Sequence, residues 1–397
     1  MSVRDVIIIG AGPSGLSAAI AAKRQNLDYQ VLEQGTLVNS IYRFPPQMVF
    51  FTMPELLEIG GLPFVSPYDK PTRAEALKYY RKVVDTYDLQ IAYEEKVESI
   101  EREQEGAGAA GGAGGPGGSG RSGGSGRSGG EDHVFAVTTR SKRGVQRVRH
   151  ARNVVMAIGY YDRPVMIGVP GEDLPHVHHY YGEPHRHYRQ RVVIVGGGNS
   201  AAESALEMYR AGAHVTMVHR APSLKSTIKY WVRPDIENRI KEGSVAARFN
   251  ACVTAIRPAS VIVRSDKSRA TGQLIGSGPH DASAPAVANV RTDSTERPNP
   301  SAEGPAPGDQ HVEEEIPADA VYLLTGYRTD ADLLCRAGVV LNDRSAPVFD
   351  RDTFETNVSG LFVAGGAVAG VDTGTIFIEN GRFHGEKIIE VIARRCG

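Results

Sequence analysis

Short β-branched runs alternate with stretches of helical period along most of the chain. Apolar runs short enough for buried strands occupy residues 5–9, 29–33, 153–158, 191–195, 214–219, 320–324 and 361–364. Helical patterning begins near Ser14, near Ser200 and near Thr72, where residues 74–84 carry it, and a last helix is expected over residues 377–393. Strands that alternate with helices predict a layered α/β fold with parallel sheets.

Two stretches break the pattern. Residues 106–130 hold 14 glycines, four alanines, four serines, two arginines and one proline. Such a segment has no apolar surface to offset its ordering entropy, so it reads as a disordered glycine-rich linker. Residues 265–311 contain six prolines and no Phe, Trp or Tyr, and read as a disordered insertion. Both are expected as insertions tolerated on exposed hairpins. The remaining 325 of 397 residues suffice for two compact domains.

Composition removes several function classes. With 45 basic and 46 acidic residues the formal charge is −1, which removes the electrostatic case for nucleic acid or an anionic membrane as partner. No apolar run reaches the length of a membrane span. The first apolar run, Val6-Ile7-Ile8-Ile9, begins too early to leave room for a secretory leader. Cys252, Cys335 and Cys396 are odd in number, far apart and form no CxxC pair. The expectation is a reduced, cytoplasmic protein without a disulfide framework or a cysteine-rich metal site.

The first strand runs into Gly10-Ala11-Gly12-Pro13-Ser14-Gly15 and then a helix of small residues. Strand, GxGxxG and helix in that order form a dinucleotide fingerprint. Gly10 allows the tight turn, Gly12 lets backbone N–H groups approach a pyrophosphate, and Gly15 lets helix and strand pack closely. Glu33 lies 23 residues after Gly10, at the end of the second strand, placed to accept hydrogen bonds from ribose hydroxyls.

A second copy follows at Gly196-Gly197-Gly198-Asn199-Ser200-Ala201, with Ala201 at the packing position. Here the same offset of 23 residues lands on His219 rather than an acid, followed by Arg220 and Lys225. A carboxylate would repel a 2′-phosphate, whereas a guanidinium pairs with one. The first unit is therefore expected to bind FAD and the second NADPH, with hydride passing from nicotinamide to flavin.

At this point the chain resembles the thioredoxin-reductase-like flavoproteins with two Rossmann-like domains. Met156-Ala157-Ile158-Gly159 resembles their crossover into the NADPH domain, Leu323-Leu324-Thr325-Gly326 the return, and residues 356–365 the C-terminal FAD strand. The resemblance implies a discontinuous FAD-binding domain over 1–162 and 318–397, with an NADPH-binding domain over 163–317 inserted into it. Phe50-Phe51-Thr52-Met53-Pro54, Lys229-Tyr230-Trp231-Val232-Arg233 and Ile376-Phe377-Ile378-Glu379-Asn380 resemble, more narrowly, the bacillithiol-disulfide reductase family.

By that resemblance the substrate is a low-molecular-weight disulfide. Gln34, Val97, Ala157, Gly159, Gly365, Gly366 and Ile376 join the first turn as cofactor-binding positions, and Glu203 and Gly326 join the second. Self-association into a homo-oligomer is left open. Two departures stand out. The family commonly carries cysteine where this chain has Ser14, and the broader group ends its C-terminal FAD strand in Gly-Asp where this chain reads Gly365-Gly366. Gly366 can contribute only backbone.

Other features take plainer readings. The five histidines between His176 and His187 read as a surface crossover rather than a metal site. Trp231 reads either as a nicotinamide stacker or as a buried aromatic near NADPH, and Cys335 as a small core residue. A flavin monooxygenase shares both glycine turns, but residues 186–196 lack that group's FxGxxxHxxx fingerprint. A non-enzymatic flavin redox sensor is the third alternative.

Overall fold

The computed structural model describes residues 2–104, 133–266 and 311–396. Residues 106–130, and 267–310 of the second expected insertion, lie outside the described residues. The chain divides into two units, Met1–Val165 with Gly326–Gly397, and Met166–Thr325.

In the first unit, strand Val3–Ile9 pairs in parallel with Tyr29–Leu32 on one side and with the long strand Gln146–Met156 on the other. Leu361–Val363, near the other end of the chain, adds in parallel to residues 154–156 of that long strand. Val6, Ile7, Ile8, Val154, Val155 and Leu361 are fully buried, as a sheet covered on both faces requires. Helix Pro13–Arg24 packs its small face so closely against the last helix, His384–Cys396, that a Cβ at Gly385 would come within 2.6 Å of the Ser14 carbonyl oxygen. Helix Arg73–Tyr87 starts at a capping box in which Thr72 accepts from the Glu75 N–H and the Glu75 carboxylate accepts from the Thr72 N–H.

The pattern missed one feature of this unit. Glu95–Gln104 and His133–Ser141 form an antiparallel hairpin that continues the sheet through residues 146–151. In Glu95–Gln104 charged residues separate the inward Val97 and Ile100, and a register shift between Val97 and Ser99 breaks the alternation, while His133–Ser141 offers only the short buried run of residues 134–137. The expected final helix over 377–393 is two pieces, Ile378–Gly381 and His384–Cys396.

The second unit holds a five-stranded sheet in the order Ala246–Phe249, His214–His219, Arg191–Val195, Ala320–Leu323 and Val177–His178, all parallel. A separate antiparallel sheet contains Ala251–Arg257, Ser260–Asp266 and His311–Pro317. The last two pair directly, so residues 267–310 join partners in one hairpin. The expected return at residue 318 needs correction. Ala320–Leu323 pairs with Arg191–Val195 inside the second unit, and the chain re-enters the first at Gly326.

Candidate functional site

The first glycine turn is built by exclusion. A Cβ at Gly15 would collide with the Gly10 carbonyl, and one at Gly10, where φ is +107°, with the Ala157 carbonyl. A Cβ at Gly12 would meet nothing within 4 Å, which leaves that side of the turn open. Gly12 is the N-cap of helix Pro13–Arg24, Pro13 fills its first turn, and no acidic residue lies there. The helix N-terminus therefore presents N–H groups and positive dipole to the open side, as an anionic pyrophosphate needs.

Glu33 ends the second strand, 5% exposed, and accepts from the Ala11 N–H and the Gly35 N–H at 2.8 Å each. Burial pushes its carboxyl up, and the neighbouring Asp162 charge adds to this, while the two accepted N–H bonds pull it down. Each carboxylate oxygen keeps a free lone pair for a ribose hydroxyl. Gln34 next to it donates to Asp162 at 2.9 Å, and Asn39 and Arg43 donate to the same carboxylate. Gln34 is thus engaged by the crossover segment. Val97 is buried in the hairpin, Ala157 donates to the Ile9 carbonyl at 2.8 Å, and Gly159 takes φ +61° with its Cβ direction open.

The C-terminal turn closes over the first. Ser14 does not cap the helix: its hydroxyl donates to the Gly381 carbonyl at 3.0 Å, beside Ile376 and Gly365. Gly365 has φ +59° and donates its N–H to His384 Nδ1 at 3.1 Å. Burial, with the Lys387 charge nearby, lowers His384 to about 4, so the ring is a neutral acceptor stacked on Phe354. A Cβ at Gly366 would lie 2.7 Å from the Tyr160 ring, so Tyr160 fills the space where a side chain at 366 would begin. Tyr160 lies outside every motif, and His384, though it belongs to the run of residues 376–385 that resembles the reductase family, carried no role there. Their partners, Gly365 and Gly366, belong to another segment.

The second turn repeats the geometry of the first. Gly196 has φ +147° with the Leu324 carbonyl 2.5 Å from its Cβ position, and Ala201, fully buried, packs beneath it. Gly198 is open except for Lys225, 3.8 Å away. The His219 imidazole lies flat against Gly197, and burial first, then the Lys225 and Arg220 charges, lower its pKa from the ordinary value. Arg220 is exposed directly after strand His214–His219, and Lys225 is exposed in the irregular segment that follows. Ser200 is exposed in the first turn of helix Asn199–Arg210.

Two of the residues expected to contact cofactor also bind the chain itself. The Asn199 amide donates to the Thr227 carbonyl and accepts from the Lys229 N–H. Glu203, in the second helical turn, pairs with the Lys229 ammonium at 2.6 Å. Gly326 lies in the first unit, where its carbonyl accepts from the Val165 N–H.

The remaining candidates resolve simply. His187 is fully satisfied by Gln190 and Tyr322, and among the described residues no group of three or more His, Cys, Asp or Glu side chains could hold a metal ion. Trp231 is 38% exposed rather than buried, set edge-on to the more exposed Tyr230. Cys335 is also exposed, which corrects its reading as a core residue: its side chain leaves the short helix Ala331–Arg336 on the face opposite buried Leu333 and Leu334. No helix among the described residues is long and apolar enough to cross a membrane.

Comparison with known proteins agrees with this layout. The sequence matches the pyridine nucleotide-disulphide oxidoreductase family over residues 7–108 and 129–274. It is 34% identical over 396 residues to Bacilliredoxin reductase Bdr of Bacillus subtilis (strain 168), covering 100% of this chain and 99% of that protein. The solved Bacillithiol Disulfide Reductase Bdr from Bacillus cereus superposes with TM-score 0.79 at 31% identity, over 99% of this chain and 100% of that one. The Staphylococcus aureus protein of the same name gives 0.77 at 31%, over the full length of both. The chain is an oxidoreductase of the pyridine nucleotide-disulphide oxidoreductase family, in the branch that holds the bacillithiol disulfide reductases.

Proposed function

We propose that this chain uses NADPH and FAD to reduce a low-molecular-weight disulfide of the bacillithiol type in a reducing, cytoplasmic setting. One observation carries the reading: two glycine turns of the same build end in opposite chemistry. The first is closed by the buried Glu33 carboxylate, and the second by exposed Arg220 and Lys225. A carboxylate fits free ribose hydroxyls, and a pair of cations fits a 2′-phosphate. Three exposed cysteines with no disulfide among them fit a reducing compartment.

The open side of Gly12 and the acceptor geometry of Glu33 fit FAD, with its pyrophosphate on the helix N-terminus. Gly198, Arg220 and Lys225 fit NADPH in the same sense. FAD, when bound, takes a hydride from NADPH and returns an electron pair to a disulfide, so that one disulfide, NADPH and a proton become two thiols and NADP+. The chain's own part is to hold and orient. Glu33 fixes the adenosine end, the Pro13–Arg24 helix neutralises pyrophosphate charge, and Tyr160 and His384 shape the Gly365–Gly366 turn. Titration of the anaerobic, yellow protein with NADPH should bleach the flavin, and a bacillithiol-type disulfide should restore the colour. Rapid reoxidation by oxygen through an oxygenated flavin, with no response to any disulfide, would point to a monooxygenase instead.

A further inference from the structure

The segment between Arg220 and Val232 carries both cations that the second turn offers, yet it contains no helix or strand. It is nevertheless pinned to the turn at several points. Leu224 and Ile228 bury their side chains as anchors. The Lys225 N–H donates to the Gly197 carbonyl at 2.9 Å. The Asn199 side chain then makes two bonds to the segment, donating to the Thr227 carbonyl at 3.1 Å and accepting from the Lys229 N–H at 2.8 Å. One helical turn later on the same face, Glu203 grips the Lys229 ammonium. Asn199 is the first residue of helix Asn199–Arg210, directly after the glycine turn. Its amide therefore ties the rigid turn to the irregular segment that bears Lys225.

We propose that Asn199 is a positioning residue for coenzyme selection: its amide clamps the segment 225–229 to the glycine turn and so sets Lys225 and Arg220 for the 2′-phosphate. The inference rests on the NADPH reading above and adds how selectivity is held. The two bonds that the amide makes within the chain hold its plane against the segment, one donated and one accepted. Its contribution is to keep a cation on a loop from sampling positions where it no longer meets the phosphate. Ordering the loop in advance removes that entropy from the binding step. The effect must fall on the coenzyme that carries a 2′-phosphate, since NADH has nothing for the two cations to grip.

The test uses the full-length, flavin-loaded protein and measures the dissociation constants of NADPH and NADH for wild type, Asn199→Ala and Arg220→Ala. Loss of two hydrogen bonds that order the loop should weaken NADPH about five- to tenfold in Asn199→Ala, while NADH changes by less than about twofold. A merely structural role would weaken both coenzymes alike, and that result, or an unchanged preference, overturns the inference. If Arg220→Ala also leaves the preference untouched, the 2′-phosphate reading falls and takes this inference with it. If only Asn199→Ala is without effect, the clamp alone is wrong. Should Asn199→Ala not fold, amide hydrogen exchange of the wild-type protein still decides. The N–H groups of Lys225 and Lys229 should be protected without coenzyme, and free exchange at both would overturn the clamp.

Discussion

The Ser14 hydroxyl occupies the space that a methyl group on Gly365 would need. The two residues stand far apart in the chain, and the contact locks the first glycine turn to the C-terminal one. Gly365→Ala therefore meets two penalties: a clash worth roughly 1–3 kcal/mol and a positive-φ strain of about 1 kcal/mol. Thermal or urea unfolding should show that loss together with reduced flavin content. Adding Ser14→Gly should recover the steric share and leave the strain. Strict additivity of the two changes would mean that the residues do not touch.

His384 predicts an acid limit. Its folded value of about 4 lies below the ordinary 6.5, so the unfolded chain binds a proton that the folded chain refuses between those values. The group costs no stability above pH 6.5 and lowers it as pH falls toward 4, because the unfolded ring gains a proton that burial and the Lys387 charge deny the folded one. Melting temperature and flavin retention should both decline across that window. His384→Asn, which offers a non-titrating acceptor, should flatten the decline; an identical slope in the variant would assign it to other groups.

Glu33 holds two backbone N–H groups even before any ribose is considered. Glu33→Ala leaves both without their acceptor, at roughly 1–3 kcal/mol for each one buried, and removes the ribose anchor as well. The purified variant should be largely flavin-free by its absorbance ratio, with Glu33→Gln intermediate. Full flavin retention in Glu33→Ala would move the adenosine site elsewhere.

Cys252, Cys335 and Cys396 are exposed and sit on a strand, a short helix and the chain's end respectively. With no CxxC pair to relay electrons, disulfide reduction should not require a protein thiol. The triple Cys→Ser variant should consume NADPH with its disulfide within about twofold of wild type, as expected for surface substitutions. A variant that still bleaches with NADPH but reduces no disulfide would establish a relay, with Cys335 the first suspect.

Both glycine turns were legible because their information is local. Spacing, a preceding strand and a residue 23 positions on are enough to distinguish Glu33 from His219. The roles of Tyr160 and His384 were not legible, since each depends on a glycine brought near by the fold. Asn199 shows a further role that its motif position does not announce: its amide also holds a loop that the motif does not include. In the hairpin, Glu95–Gln104 is hidden by charged residues and a register shift and His133–Ser141 by the shortness of its apolar run, while Ala320–Leu323 belongs to the second unit because its partner Arg191–Val195 lies in the middle of the chain.

The first unit is assembled from two segments that flank the second in the chain, and this fixes an order during synthesis. Residues 154–156 gain Leu361–Val363 as a neighbour, and helix Pro13–Arg24 its cover from His384–Cys396, only after Met166–Thr325 has been made. The second unit is one continuous stretch, Met166–Thr325, and can fold while the ribosome is still adding the rest. Until the last turn of helix emerges, the nascent first unit keeps an apolar flank uncovered. A chain that stopped before His384 would expose that flank permanently, while leaving the continuous second unit intact.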